Sequence, residues 1–259
     1  MNIDYKEIQE ETSHRMKHSF KHHTHKIKDY PIIPIEGEAQ RFLQPNFHCN
    51  IRFAENFSMT TISTYAIKNG KKDGDPICDK AGVLRFGHCF VACLADGCGW
   101  GEKSCHAAAT AVNTVVDYLS ETLLSVTTTK EIENELIEAF IKAQQEIIEC
   151  GQTYHHIGTT CLLTTCSVMI DHPKRGIIPV TFVISIGDCR AFVINQDETE
   201  IISLCGVNRL THKEIQNCGG CLGAADEYYP LLEGALLLLH KGEIGEKIVV
   251  LSDGFYDNI

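Results

Sequence analysis

The stretch FVACLADGCGWGEKSCHAAA, Phe90 to Ala109, decides the fold. A mostly apolar run ends in Asp96-Gly97, and glycines then turn the chain straight into an Ala-rich segment. A short apolar run bounded by turn residues reads as a buried strand. Residues from about 103 to 124 read as a helix, with Ala107, Ala111, Val115, Tyr118 and Leu119 as its apolar positions. A second stretch, KIVVLSDGFYDNI from Lys247 to Ile259, repeats the pattern of an apolar strand that ends in Asp-Gly.

Working outward, a second helix follows TTTK. Ile132, Leu136, Phe140, Ala143, Ile147 and Cys150 recur at helical spacing, and Thr129 is read as its cap. NFSMTTISTYAI alternates and is rich in Thr and Ile, which reads as a strand. NGKKDGDPICDKAG reads as a turn-rich loop. GTTCLLTTCSVMI is a strand, and VTFVISIGDCRAFVINQ holds two, joined at Gly187-Asp188-Cys189. ETEIISL and ALLLLHKGEIGEKIVVLSDG supply the rest. Helices and strands are segregated, and hairpin connections dominate the second half. The expectation is an α+β fold with mainly antiparallel sheet.

Residues 1 to about 45 differ in composition. HRMKHSFKHHTHK, His14 to Lys26, is rich in His and Lys, and Pro31 and Pro34 follow. This segment reads as a partly disordered leader, with residues 46–259 forming the domain. On a helix His14, His18 and His22 would share a face, which also admits a transition-metal reading.

Hydrophobic content of 44% over 259 residues suits a sizeable core. The net charge of −11 argues against a nucleic-acid or anionic-membrane surface. No run approaches the roughly 18 apolar residues of a membrane span. The opening residues have no apolar signal-type core, so the reading is cytoplasmic or nuclear, with reduced thiols. Most of the 13 cysteines sit in apolar runs, where Cys behaves as a small hydrophobe. Cys218-Gly219-Gly220-Cys221 has the spacing of half a zinc site or a redox pair, but no second such pair exists. An incidental glycine turn is the simpler reading.

Asp96, Asp188 and Asp253 stand at strand ends, with Asp257 close behind. Carboxylates suit Mg2+ and Mn2+. Asp-Gly is also a common turn pair, so composition and spacing leave site and turn both open.

The ordered segments resemble the metal-dependent protein phosphatase family of type 2C. FVACLADGCGWG resembles its strand followed by Asp-Gly-x-Gly-Gly. GTTCLLTTCSV, VTFVISIGDCRAFVI, LGAADEYYP and KIVVLSDGFYDNI resemble later motifs in the family's order, over roughly residues 50 to 259. The resemblance implies a β-sandwich flanked by helices, with a two-metal centre of Mn2+ or Mg2+ at one end. It implies Asp96, Gly97 (through its carbonyl) and Asp253 as ligands. Asp188 and Asp257 would help hold a third, weaker ion. It also implies hydrolysis of phosphoserine and phosphothreonine in a phosphoprotein substrate by metal-activated water, without a phosphoenzyme.

Departures bear on activity. The family's early phosphate-holding Arg matches Arg52 in IRFAENFS. The acidic pair expected after it falls on Asn56 and Phe57, with Glu55 out of step. Cys98 and Trp100 replace a His and a Gly. The family's closing strands and Asp-Asn motif would follow Ile259, so a fragment or a truncated sheet is expected. The competing expectation is a pseudophosphatase that keeps the fold and acts as a binding scaffold.

Overall fold

The computed structural model describes residues 5–24, 27–44, 49–54, 57–61, 67–68, 71–72, 76–99, 101–153, 157–205, 218–226 and 228–256. In chain order the elements are α1 (Tyr5–Thr24), β1 (Gln40–Leu43), β2 (Cys49–Ala54), β3 (Phe57–Thr61), β4 (Ile67–Lys68), β5 (Lys71–Lys72), β6 (Lys80–Phe86) and β7 (Cys89–Gly97). Helices α2 (Glu102–Thr122) and α3 (Thr129–Thr153) follow. Then come β8 (Thr159–His172), β9 (Gly176–Ile186), β10 (Arg190–Ile194), β11 (Ile201–Ser203), β12 (Cys221–Asp226), β13 (Tyr229–Leu231), β14 (Leu236–Lys241), β15 (Lys247–Leu251) and α4 (Asp253–Tyr256).

The large sheet runs β1-β6-β7-β8, continues through β9 to β14, and carries β12-β13 on the start of β8. A second sheet has the order β11-β10-β15. All the described pairings are antiparallel. The fold is therefore the expected α+β sandwich of antiparallel sheets flanked by helices.

Strand periodicity explains the layers. In β8, Leu162, Cys166, Val168 and Ile170 point into one apolar cluster, while Cys161 and Leu163 point into another. The first cluster lies between the large sheet and helices α1, α2 and α3. The second lies between the two sheets, where Ala191, Val193, Ile248 and Val250 face Leu163, Val183, Leu94 and Leu236. A strand buried on both faces loses the polar alternation of a surface strand, which is why β8 and β9 read as continuous apolar runs.

Two segments differ from the sequence reading. The stretch taken as a loop through DKAG instead starts β6 at Lys80. Gly82 looks like a strand breaker, yet a Cβ there would come within 2.7 Å of Val112 and 2.8 Å of Val116. The glycine lets α2 lie close against the sheet. The segment read as a leader contains the 20-residue helix α1, and its Met16 and Phe20 are fully buried in the helix-side cluster. His22 and Trp100 lie outside the described side chains.

Helix α3 is capped by Thr128 rather than Thr129. The Glu131 amide donates to Thr128 Oγ1 at 3.3 Å, and Glu131 Oε2 accepts from the Thr128 amide at 3.2 Å. This reciprocal pair is a capping box. Thr129 instead ties the helix to the segment after α1, accepting from the Tyr30 amide at 2.9 Å.

Candidate metal centre

Strand register brings the aspartates together. Lys80 pairs with Ala95, so Asp79, one step earlier, falls opposite Asp96. Arg190 pairs with Leu251 in the second sheet, so Asp188 and Asp253, each two residues beyond that pair, leave the same end of β10-β15. Asp188 sits in the turn that carries the chain from β9 in the large sheet to β10 in the small one. The site is thus at the end of the sandwich, between the sheets.

Carboxylate oxygens of Asp96, Asp188 and Asp253 lie within 4.8 Å of one another. Asp96 also shares hydrogen bonds with Asp79 and with Asp253. The Asp96 backbone is fixed from behind, because buried Thr160 donates its Oγ1 hydrogen to the Asp96 carbonyl at 2.9 Å. Ser252 Oγ donates to Asp79 Oδ2 at 2.7 Å. Cys161 Sγ donates to Asp188 Oδ1 at 3.3 Å, and Asp188 itself is buried. Thr160 and Cys161 act from β8, and Ser252 acts from the residue that follows β15.

Gly97 has a steric reason. A Cβ on it would reach 2.6 Å from the Ser104 carbonyl oxygen, in the first turn of α2. Ser104 Oγ in turn donates to the Cys98 carbonyl at 2.6 Å, which fastens the turn to the helix. The Asp96-Gly97 pair is thus the paired end of β7 and part of the carboxylate cluster, and the chain bends away only from Cys98.

Crowding four carboxyl groups is electrostatically costly without a cation. The Asp96 carboxyl is pushed up to about 11, first by burial and then by the charges of Asp79 and Asp253, the hydrogen bond to Asp253 and the charge of Asp188. Asp79 is pushed up as well, chiefly by burial and against the hydrogen bond from Ser252. Such a set keeps protons until a divalent cation replaces them. All-oxygen donors suit the hard ions Mg2+ and Mn2+, so the residues present fit a metal centre.

Of the residues read from the sequence, Asp96, Gly97, Asp188 and Asp253 converge here. Asp257 lies outside the described residues. Arg52 lies on β2, which pairs only with β3 among the described strands, and its side chain is outside the described set. Glu55 lies outside the described residues, and the acidic residue that the structure sets opposite Asp96, Asp79, is not among those read from the sequence. The sequence reading missed it because ICDKAG carries no Asp-Gly and looks like loop. The available signal was the register of an antiparallel hairpin that β7 needs as its neighbour.

Comparison with known proteins agrees with this geometry. The curated PP2C-like domain-containing protein CG9801 of Drosophila melanogaster is 25% identical over 230 residues, covering 82% of this chain. The chain spans only 30% of that relative's length. A bacterial serine phosphatase structure superposes with a TM-score of 0.55 at 15% identity, covering 86% of this chain and 80% of that one. The serine/threonine phosphatase Stp1 from Staphylococcus aureus gives 0.54 at 15% identity, covering 86% and 78%. At those identities the two structures speak for the fold alone. The model of the family described as protein phosphatase 2C matches residues 68–259, which takes in every aspartate of the cluster, and the chain belongs to that family.

Proposed function

We propose that the chain is a metal-dependent protein phosphatase that hydrolyses phosphoserine and phosphothreonine. The observation that carries this reading is the placement of Asp79 opposite Asp96, in a cluster with Asp188 and Asp253. The scaffold reading rests in part on the acidic pair missing after Arg52, and Asp79 supports turnover by adding an acidic residue beside Asp96. In this reading Asp96, Asp79, Asp253 and the Gly97 carbonyl hold two Mn2+ or Mg2+ ions. Asp188 and Asp257 hold a third, weaker one, and Arg52 receives the substrate phosphate. When bound, such ions lower the pKa of water and neutralise charge on the phosphoryl oxygens. The chain's own part is positioning. Ser252 fixes the Asp79 carboxylate, Thr160 fixes the strand end that bears Asp96, and Cys161 fixes Asp188.

The test is hydrolysis of an aryl phosphate and of phosphoserine and phosphothreonine peptides by the purified chain, with Mn2+ and with EDTA. Turnover is expected with Mn2+, to be abolished by EDTA and by Asp253→Asn. A folded chain that binds Mn2+ but turns over neither substrate would replace this reading with that of a pseudophosphatase scaffold.

A further inference from the structure

The register that aligns the carboxylates continues across the sheet into sulfur. Asp96 pairs with Cys161 on β8, and Leu222 pairs with Thr160, so Cys221 falls opposite Cys161. One lateral row therefore reads Asp79, Asp96, Cys161, Cys221 across β6, β7, β8 and β12. Cys98, two residues beyond Asp96, joins the sulfur end through its amide, which donates to the Thr159 carbonyl at 2.9 Å. The thiols of Cys98, Cys218 and Cys221 lie within 4.8 Å of one another. Cys98 Sγ is 3.6 Å from Cys218 Sγ and 3.9 Å from Cys161 Sγ. All four are free cysteines.

We propose that Cys98, Cys218 and Cys221 form a thiolate site for a soft divalent ion of the Zn2+ class, beside and distinct from the carboxylate centre, while the neighbouring Cys161 thiol donates to Asp188 instead. Zinc binds thiolate sulfur tetrahedrally at about 2.3 Å, which sets sulfur-to-sulfur edges at about 3.8 Å. The Cys98–Cys218 separation of 3.6 Å is close to that edge, and all three sulfurs lie within 4.8 Å of one another. Cys218-Gly219-Gly220-Cys221 has the two-residue spacing that structural zinc sites use for paired ligands. The partner missing from the sequence pattern is supplied by the β7-α2 turn. Other buried cysteines are placed differently. Cys93, for example, packs in the helix-side core and meets Thr164 Oγ1 at 3.4 Å.

The sulfur end is also well anchored. Gln144 of α3 is buried and clamps the start of β12, accepting from the Gly223 amide at 2.6 Å and donating to the Gly223 carbonyl at 3.0 Å. An ion on the three thiols would staple that strand to the turn carrying the metal-side aspartate. Donor chemistry keeps the two sites apart, since oxygen selects Mg2+ or Mn2+ and sulfur selects zinc-like ions.

The experiment loads the reduced, metal-stripped chain with Co2+ and with Zn2+ in excess Mg2+, under anaerobic conditions. Co2+ is expected to bind at one equivalent with intense thiolate-to-cobalt charge-transfer absorption, lost on Zn2+ addition. That absorption should disappear in C218S/C221S and persist in Cys150→Ser and Asp96→Asn. X-ray absorption on the zinc-loaded wild-type chain needs no variant and should show sulfur scatterers at about 2.3 Å. A zinc shell of oxygen and nitrogen only, or no charge-transfer band in the wild type, overturns the proposal. A band that survives C218S/C221S overturns it too. Survival of the band in Asp96→Asn separates this site from the carboxylate centre whatever the outcome for phosphatase activity.

Discussion

At the scale of single residues, the carboxylate cluster makes a signed prediction. Asp96 holds its proton far above the ordinary carboxylate value of about 4. Between that value and its raised one, the folded chain binds more protons than the unfolded chain. Stability without metal therefore falls as pH rises through the window. In EDTA, the thermal midpoint is expected to drop between about pH 5 and about pH 8, and Asp96→Asn should flatten the slope. Mn2+ should recover more of the midpoint at the upper pH than at the lower, since it takes the place of protons already gone. A wild-type slope equal to that of Asp96→Asn would contradict the account. Asp79→Asn gives a companion prediction: the chain should fold, and Mn2+-dependent stabilisation should fall at least tenfold in apparent affinity, a loss of about 1.4 kcal/mol. Isothermal titration with Mn2+ measures it, and unchanged affinity would remove Asp79 from the site. Asp96, Asp188 and Asp253 were legible because each ends or follows a strongly apolar strand. Asp79 was not, because its role comes from being opposite Asp96, a relation between strands that local sequence does not encode.

At the scale of elements, legibility followed how local the cause is. Helix α2, read over about 103–124, runs Glu102–Thr122, and the stripe from Ile132 to Cys150 falls inside α3, since an apolar stripe at helical spacing is a local pattern. Strands β8 to β10 were found because burial on both faces concentrates Val, Ile, Leu and Cys. β6 was lost because Gly82 answers to Val112 and Val116 of α2, which are remote along the chain. The cap of α3 shows the same limit at finer grain. In TTTK three threonines compete, and only the geometry selects Thr128 as partner of Glu131. Thr128→Ala is expected to cost about 1 kcal/mol, and Thr128→Ser to cost a small fraction of that. Urea unfolding midpoints decide it, and an equal loss in both variants would argue against a hydroxyl cap.

At the scale of the whole molecule, the question is whether the His-rich N-terminal segment belongs to the folded unit. Its charge and low hydropathy hid two apolar residues, Met16 and Phe20, four apart on the face that α1 turns to the core. Phe20 meets Phe140 of α3 edge to face, with ring centroids 5.8 Å apart. Further contacts run the length of the helix. Gln9 Nε2 donates to Glu149 Oε1 at 2.7 Å, Lys17 pairs with Glu138 at 3.3 Å, and the Arg15 guanidinium lies 4.4 Å over the Tyr229 ring. The surface ion pairs add little, so the burden falls on the two buried side chains. Phe20→Ala is therefore expected to destabilise the chain by about 3–5 kcal/mol. The loss should appear in one cooperative urea transition, because α1 and α3 share a single apolar cluster. A free leader would make the variant indistinguishable from wild type. A separate early transition would mean that α1 docks on an otherwise independent core. Because α3 also holds β12 through Gln144, a single transition would link the N-terminal helix to the strand beside the sulfur cluster.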